Sequence, residues 1–311
     1  MSQIKYRSLT KKISQLAIAF ALIGFVFVGS KLLAQERDFS QVEITTIPVA
    51  ENVYMLKGEG GNLGLAVGDD GALLIDDQFS PLAEKIETAV AEVSPQPIKF
   101  LLNTHWHFDH TGGNAYFGEA GATIIAHQEV YNRLSTDQFI EAFQREIPAS
   151  PSVALPKVTY DDTITFHLNG QTIQGFHPSA AHTDGDTIVY FPDVDVIHTG
   201  DLYFNQLYPF IDASSGGSIA GMIRAVDKIL ALAGDETKII PGHGALSNRA
   251  ELLTYRQMLA DVETKTKSAI ARGLTLEEFL ASKPTAQYDE VWGNGFLSPE
   301  NFLTIVYNSF V

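Results

Sequence analysis

Asn103-Thr104-His105-Trp106-His107-Phe108-Asp109-His110-Thr111-Gly112-Gly113 decides how this chain of 311 residues is read. Four side chains able to bind metal (His105, His107, Asp109 and His110) fall within six positions. Before them, Ile98 to Leu102 read as a short buried strand. After them, Thr111-Gly112-Gly113-Asn114 is poor helix sequence. The cluster is therefore expected on a loop at the C-terminal end of a strand. On a helix, residues two apart point to nearly opposite sides, so His105 and His107 could not share an ion there. On an irregular turn they can. Neutral imidazole and carboxylate oxygen are ordinary zinc ligands. One such side chain alone reads as a cap or a surface group; the four together read as a metal site.

The pattern His-x-His-x-Asp-His over 105–110 resembles the signature of the metallo-β-lactamase superfamily. Three stretches follow in that family's order: Ala180-Ala181-His182-Thr183-Asp184-Gly185-Asp186, His198-Thr199-Gly200-Asp201 and Pro241-Gly242-His243-Gly244. The similarity runs from about Ile44 to Gly244, with a weaker echo to the C-terminus. It implies an α/β fold, a four-layer αββα sandwich of two mixed β-sheets with flanking helices. It also implies that His105, His107 and His182 bind one zinc, that Asp109, His110 and His243 bind a second, and that Asp201 bridges both. Asp109 would further orient a metal-bound hydroxide attacking a carbonyl carbon. Independently of the resemblance, His182, Asp201 and His243 each follow a strand-like run. A sandwich can gather such strand ends on one edge, where loops carry function.

The N-terminus stands apart. Lys5, Arg7, Lys11 and Lys12 precede an apolar run from Leu16 to Val28, and small residues follow at Gly29, Ser30 and Ala34. Residues 1–34 therefore read as a secretory signal peptide, and the alternative is an uncleaved anchor. Residues 35–311 are expected to form a single domain with a C-terminal helical extension from about 248. The protein would then be periplasmic or secreted, with no stable membrane association after cleavage. Removing the five basic side chains of residues 1–34 from a chain of net charge −16 leaves −21. So acidic a protein repels phosphate backbones, which argues against nucleic acid; the acidic balance alone identifies no partner, and a small-molecule substrate is what the family resemblance implies. No cysteine is present, so no disulfide supports the fold and no thiolate enters a metal site.

Elsewhere the chain is strand-rich in two blocks, each followed by helices. Gly68-Asp69-Asp70-Gly71 and Asn169-Gly170 are hairpin turns between apolar runs. Strands are expected from Val42, and Asp76-Asp77 ends one; one of these aspartates is a candidate to accept a hydrogen bond from a ligand histidine. Ser80 is expected to cap a helix with Pro81 in its first turn. Residues 135–157 read as irregular, a candidate substrate rim. Ser218 caps a helix to about Ala233, a second runs from Asn248 to about Arg272, and Thr275 with Glu278 makes a capping box. His127, His167, His177 and His198 read as structural. Trp106 and Tyr203 are candidate substrate contacts.

Within the resemblance, the substrate stays open. Asp201 stands where many β-lactamases of the family carry cysteine, and Phe204 where many carry a carboxylate-clamping lysine. Aspartate at 201 resembles glyoxalase II and lactonases, yet the tail from Tyr288-Asp289-Glu290 is acidic, unlike a glutathione-binding tail. The expectation is an exported dinuclear zinc hydrolase cleaving a carbonyl ester or amide of lactam or lactone type. The rivals are a glyoxalase II-type thioester hydrolase, an iron-dependent oxidoreductase with Fe in the same ligands, and a metal-stabilised binding protein without turnover.

Overall fold

The computed structural model describes residues 38–311, so the signal segment read over residues 1–34 lies outside the described residues. Four antiparallel strands open the first sheet: β1 (Thr45–Ala50), β2 (Val53–Lys57), β3 (Leu63–Ala66) and β4 (Ala72–Ile75). Helix α1 (Ala83–Ala91) leads to β5 (Ile98–Leu102), parallel to β4. The short helices α2 (Phe108–Thr111) and α3 (Asn114–Glu119) lead to β6 (Thr123–His127), parallel to β5. Next come α4 (Gln128–Leu134) and a small hairpin, β7 (Gln138–Ile140) with β8 (Arg145–Ile147). β9 (Val158–Tyr160) completes a seven-stranded sheet in the order β1-β2-β3-β4-β5-β6-β9.

The second sheet begins with four antiparallel strands, β10 (Thr163–Leu168), β11 (Gln171–Phe176), β12 (Ile188–Phe191) and β13 (Val196–His198). Helix α5 (Ile219–Leu232) carries the chain to β14 (Lys238–Ile240), parallel to β13, and β15 (Ser247–Asn248) pairs with β14. The tail is α6 (Arg249–Ala271), α7 (Leu276–Ala281), α8 (Asp289–Trp292) and α9 (Pro299–Asn308).

Alternation along the strands builds the layers. Leu73, Ile75, Leu102 and Ile125 point between the sheets and meet Val189, Phe191 and Ile240. Their neighbours Leu74, Leu101 and Ile124 point outward, onto Ile86 and Val90 of α1 and Phe117 of α3. On the other sheet Ile188, Ile197 and Ile239 point outward, onto Met222 and Val226 of α5 and Leu252 and Tyr255 of α6. The result is helix, sheet, sheet, helix, the αββα arrangement. Both faces of the central strands are covered, which is why β4 is apolar at every position. Each fully buried Leu or Ile contributes roughly 1.5–3 kcal/mol.

Several local expectations change. β1 starts at Thr45, later than Val42. Ser80 lies inside a 3-10 turn, Ser80–Leu82, and caps nothing with its side chain; α1 starts after that turn. Residues 135–157 contain the β7–β8 hairpin where irregular backbone was expected. Helices do follow Asn248, and Leu252, Tyr255, Phe279 and Phe302 pack them into one core with the second sheet. Among the described residues, no helix is long and apolar enough to cross a membrane.

Candidate metal centre

Strand ends carry the cluster. β5 ends at Leu102, and Asn103 to His107 follow without regular structure. The expected loop then gives way to the single turn of α2, with His107 in extended conformation before it. That turn swings His110 inward, fully buried, and leaves the Asp109 side chain 20 % exposed. Thr111 Oγ1 donates to the Trp106 and His107 carbonyls and braces the turn. His182 follows β11, where Asp186 accepts from the His182 and Thr183 backbone N–H groups. Asp201 follows β13 on a 3-10 turn, Gly200–Leu202. His243 follows β14. Its loop is tied to the turn before β3, because Asn62 Nδ2 donates to the Pro241 and Gly244 carbonyls.

These ends bring all seven predicted ligands together. His105, His107, His182 and Asp201 form one group and Asp109, His110 and His243 another, the ligand atoms within each group lying within 4.8 Å of one another. Asp201 faces both. Its Oδ2 lies 3.5 Å from His182 Nε2 and 3.8 Å from His105 Nε2. Its Oδ1 lies 3.1 Å from His110 Nε2 and 3.4 Å from His243 Nε2. Asp109 Oδ2 lies 3.4 Å from His243 Nε2.

Hydrogen bonds on the far side of each ring decide which nitrogen carries a lone pair. Thr104 Oγ1 donates to Asp76 Oδ2, so it accepts from His105 Nδ1 at 3.0 Å. His110 Nδ1 donates to the same carboxylate at 2.8 Å. His107 Nε2 donates to Asp212 Oδ2 at 3.0 Å, and His182 Nδ1 donates to the Phe210 carbonyl at 2.8 Å. The lone pairs of neutral rings therefore sit on His105 Nε2, His107 Nδ1, His110 Nε2 and His182 Nε2, all aimed at one region. His107 Nδ1 and His182 Nε2 face each other at 2.9 Å with no proton left to join them. His105 Nε2 is buried and has no hydrogen-bond partner among the described residues. Such converging electron pairs, beside two carboxylates, fit a buried metal site of N and O donors.

The electrostatics agree. Burial opposes the charged form of every group here, and their neighbours decide the outcome. For His105 burial and the surrounding histidines hold the imidazole well below its ordinary range. His182 falls to about 4, through burial first. For His110 burial is outweighed by Asp201, Asp109 and Asp76, and the ring is pushed well up. His243 rises to about 9, since Asp201 and Asp109 outweigh burial. Against its own burial, Asp201 is held well below the usual carboxylate range by His110, His243 and His105. Asp109 falls to about 2 for the same reason, through His110 and His243. Protons on His110 and His243 thus do part of what a cation would do between these carboxylates.

Of the two aspartates at the end of β4, Asp76 takes the histidine, while Asp77 accepts from the Gly113 backbone at 2.8 Å. The two candidate substrate contacts are both buried. Trp106 is buried in the core, and its Nε1 donates to Ser215 Oγ. Tyr203 is equally buried, with its hydroxyl engaged by Asn205 and Ser247. Both are large apolar bodies whose polar ends are satisfied inside the protein, so they brace the centre. Asp212 was not legible. It carries His107 and also accepts from Ser214 and Ser215, at the end of a path Trp106–Ser215–Asp212–His107. The only sequence hint is its place before Ala213-Ser214-Ser215, an N-cap position. His127 and His198 are structural, bonded to the Asp161 and Asn62 carbonyls.

The family model of the metallo-beta-lactamase superfamily matches residues 56–243, and the chain belongs to that superfamily. It is 25% identical over 276 residues to the 2,4-dinitroanisole O-demethylase subunit alpha of a Nocardioides species, covering 84% of this chain and 77% of that one. It is 25% identical over 232 residues to a hydroxyacylglutathione hydrolase of a Polaromonas species, covering 73% and 76%. Its backbone is similar to that of a metallo-beta-lactamase from Pontibacter korlensis, with TM-score 0.57 at 21% identity over 71% of this chain and 100% of that one.

Proposed function

We propose that the protein is an exported dinuclear zinc hydrolase that cleaves a carbonyl ester or amide of lactone or lactam type. One observation carries the two-metal reading: the oxygens of Asp201 face the two ligand groups separately, Oδ2 toward His105 and His182, Oδ1 toward His110 and His243. His105 Nε2, His107 Nδ1 and His182 Nε2 would hold one ion, Asp109, His110 and His243 the other, with Asp201 common to both. All donors are N or O and the chain has no cysteine, a set that suits zinc. When bound, zinc supplies Lewis acidity toward a carbonyl oxygen and toward water.

The side chains then have separate tasks. Asp76, Thr104, Asp212 and the Phe210 carbonyl hold the rings in the tautomers that present lone pairs. Asp109 and His243, 20 % and 17 % exposed, form the open side of the centre. Asp109 stays ionised, so its carboxylate accepts a hydrogen bond from the attacking water and orients it. Export rests on residues 1–34 and is tested by the N-terminal sequence of the protein recovered outside the cytoplasm.

The thioester reading ranks second, supported by the similarity to a hydroxyacylglutathione hydrolase. A chromogenic cephalosporin, an aliphatic lactone and a glutathione thioester offered to the zinc-loaded protein separate these substrates. Turnover of one of them, lost at least about a hundredfold in His105→Ala, is the expected result. Oxygen consumption without hydrolysis, in an iron-loaded preparation, would move the protein to the oxidoreductase reading.

A further inference from the structure

The β7–β8 hairpin is an arm whose tip packs on two aromatic neighbours of the metal centre. Phe143 packs on Phe210 with ring centroids 4.7 Å apart. Phe210 in turn lies 5.5 Å from the His107 ring and 5.8 Å from the His182 ring. Two residues on, the Arg145 guanidinium lies 4.1 Å from the ring centroid of Phe108, the residue between His107 and Asp109. The arm therefore meets two aromatic neighbours of the ligand cluster, with the Phe143 ring on Phe210 and the Arg145 cation on Phe108.

Between the arm and α9 lies a cavity of about 690 Å³. That is the size of a pocket for a small organic molecule. Phe139, Phe143, Phe296 and Ile305 give it apolar walls. Three of these rings are more than two-fifths exposed, at 45%, 43% and 57% for Phe139, Phe143 and Phe296. Large exposed rings gathered round one hollow mark a binding surface. The hollow adjoins the centre, because Asp212 lines it and Phe296 lies 6.4 Å from His243. Its acidic groups, Glu141 and Asp212, disfavour a negative charge inside it. Arg145 lies outside that lining. Arg133 and Arg256 are paired with Asp184 and Asp227, whereas Arg145 has no carboxylate within ion-pairing distance among the described residues. Its planar guanidinium can take a carboxylate through two parallel hydrogen bonds while it stays stacked on Phe108.

We propose that this arm selects the substrate: a small amphiphilic carboxylate whose apolar body lies in the cavity against Phe143 and Phe296 and whose carboxylate pairs with Arg145. The proposal rests on the hydrolase reading for the group that reacts between them, and its binding preference is measured separately.

The test is calorimetric titration of the zinc-loaded protein with phenylbutyrate and with phenylbutanol, which share an apolar body and differ in charge. The wild-type protein should bind the acid roughly tenfold more tightly. Arg145→Gln should bring the acid to within about twofold of the alcohol and leave the alcohol unchanged, and Arg145→Lys should keep part of the preference. Phe143→Ala should weaken both ligands by roughly five- to tenfold. If Arg145→Gln weakens both ligands alike, the guanidinium only holds the arm on Phe108 and the proposal falls. An acid preference that survives Arg145→Gln places the carboxylate at the metal centre and also overturns it, as does Phe143→Ala with no effect. Turnover of a phenyl ester is followed on the same samples. Preference without turnover defeats the hydrolase reading alone, and turnover without preference defeats the arm alone.

Discussion

Asp212 and His107 are 105 residues apart in the chain, yet they share a 3.0 Å hydrogen bond that leaves the His107 lone pair on Nδ1. Asp212→Ala removes that anchor and should lower metal affinity about 10–100-fold, read by competition with a chelator, without loss of secondary structure. Unchanged affinity would deny Asp212 this role. Protonation offers a second test on the metal-free protein. His110 and His243 have raised folded pKa values, so their stabilisation is complete below the unfolded value near 6.5 and is lost as pH rises above it, for His243 through about 9. His105 and His182 are depressed, so they cost stability as pH falls below about 6.5, for His182 down to about 4. Metal-free protein should melt at highest temperature between these limits, and the gain on adding zinc should grow as pH rises toward about 9, where His243 gives up its proton. A gain independent of pH would contradict this picture. At this scale sequence spacing exposed the ligands, because four lie in one stretch. It could not expose Asp212, whose role depends on a contact between distant loops.

Loops and turns place those side chains, and glycine lets two of the loops close. A Cβ on Gly242 would overlap Asp201 Oδ1 and the Gly200 carbonyl. Gly242→Ala should therefore push Asp201 aside, lowering stability by about 1–3 kcal/mol in denaturant melts and reducing bound metal. Retention of full metal content would show that the loop yields cheaply. Elements with local chemistry were readable in advance. Asn169 and Gly170 both take positive φ, 57° and 73°, as a tight hairpin turn requires. Thr275 and Glu278 form the capping box, and Ser218 caps its helix. The β7–β8 arm was not readable. Its strands have three residues each, too few to show a period. Its turn is closed by Gln144 at φ 48°, where glycine or asparagine would have given a signal. Ser80 misled for the opposite reason, since Ser-Pro is a cap signal that a 3-10 turn satisfies equally well.

In the whole molecule, the layered fold follows from strands whose two faces are both apolar, while the order of the layers was legible only through the family resemblance. Alternation predicts which residues face which side, but it does not say which sheet lies opposite. The tail shows the difference. Helices α6 to α9 read as an extension after the ligand-bearing region, yet they cover the outer face of the second sheet. Truncation after Asn248 should uncover Ile197, Ile239 and Met222 and abolish cooperative unfolding, seen as the loss of a sharp thermal transition. A truncated chain that still melts sharply would make the tail dispensable.

Two metal ions sharing Asp201 would be counted by elemental analysis of the purified protein titrated with zinc. The expected result is about two zinc ions per wild-type chain, and loss of tight binding at both positions in Asp201→Ala. One ion in the wild type, or Asp201→Ala that still holds two tightly, would contradict it.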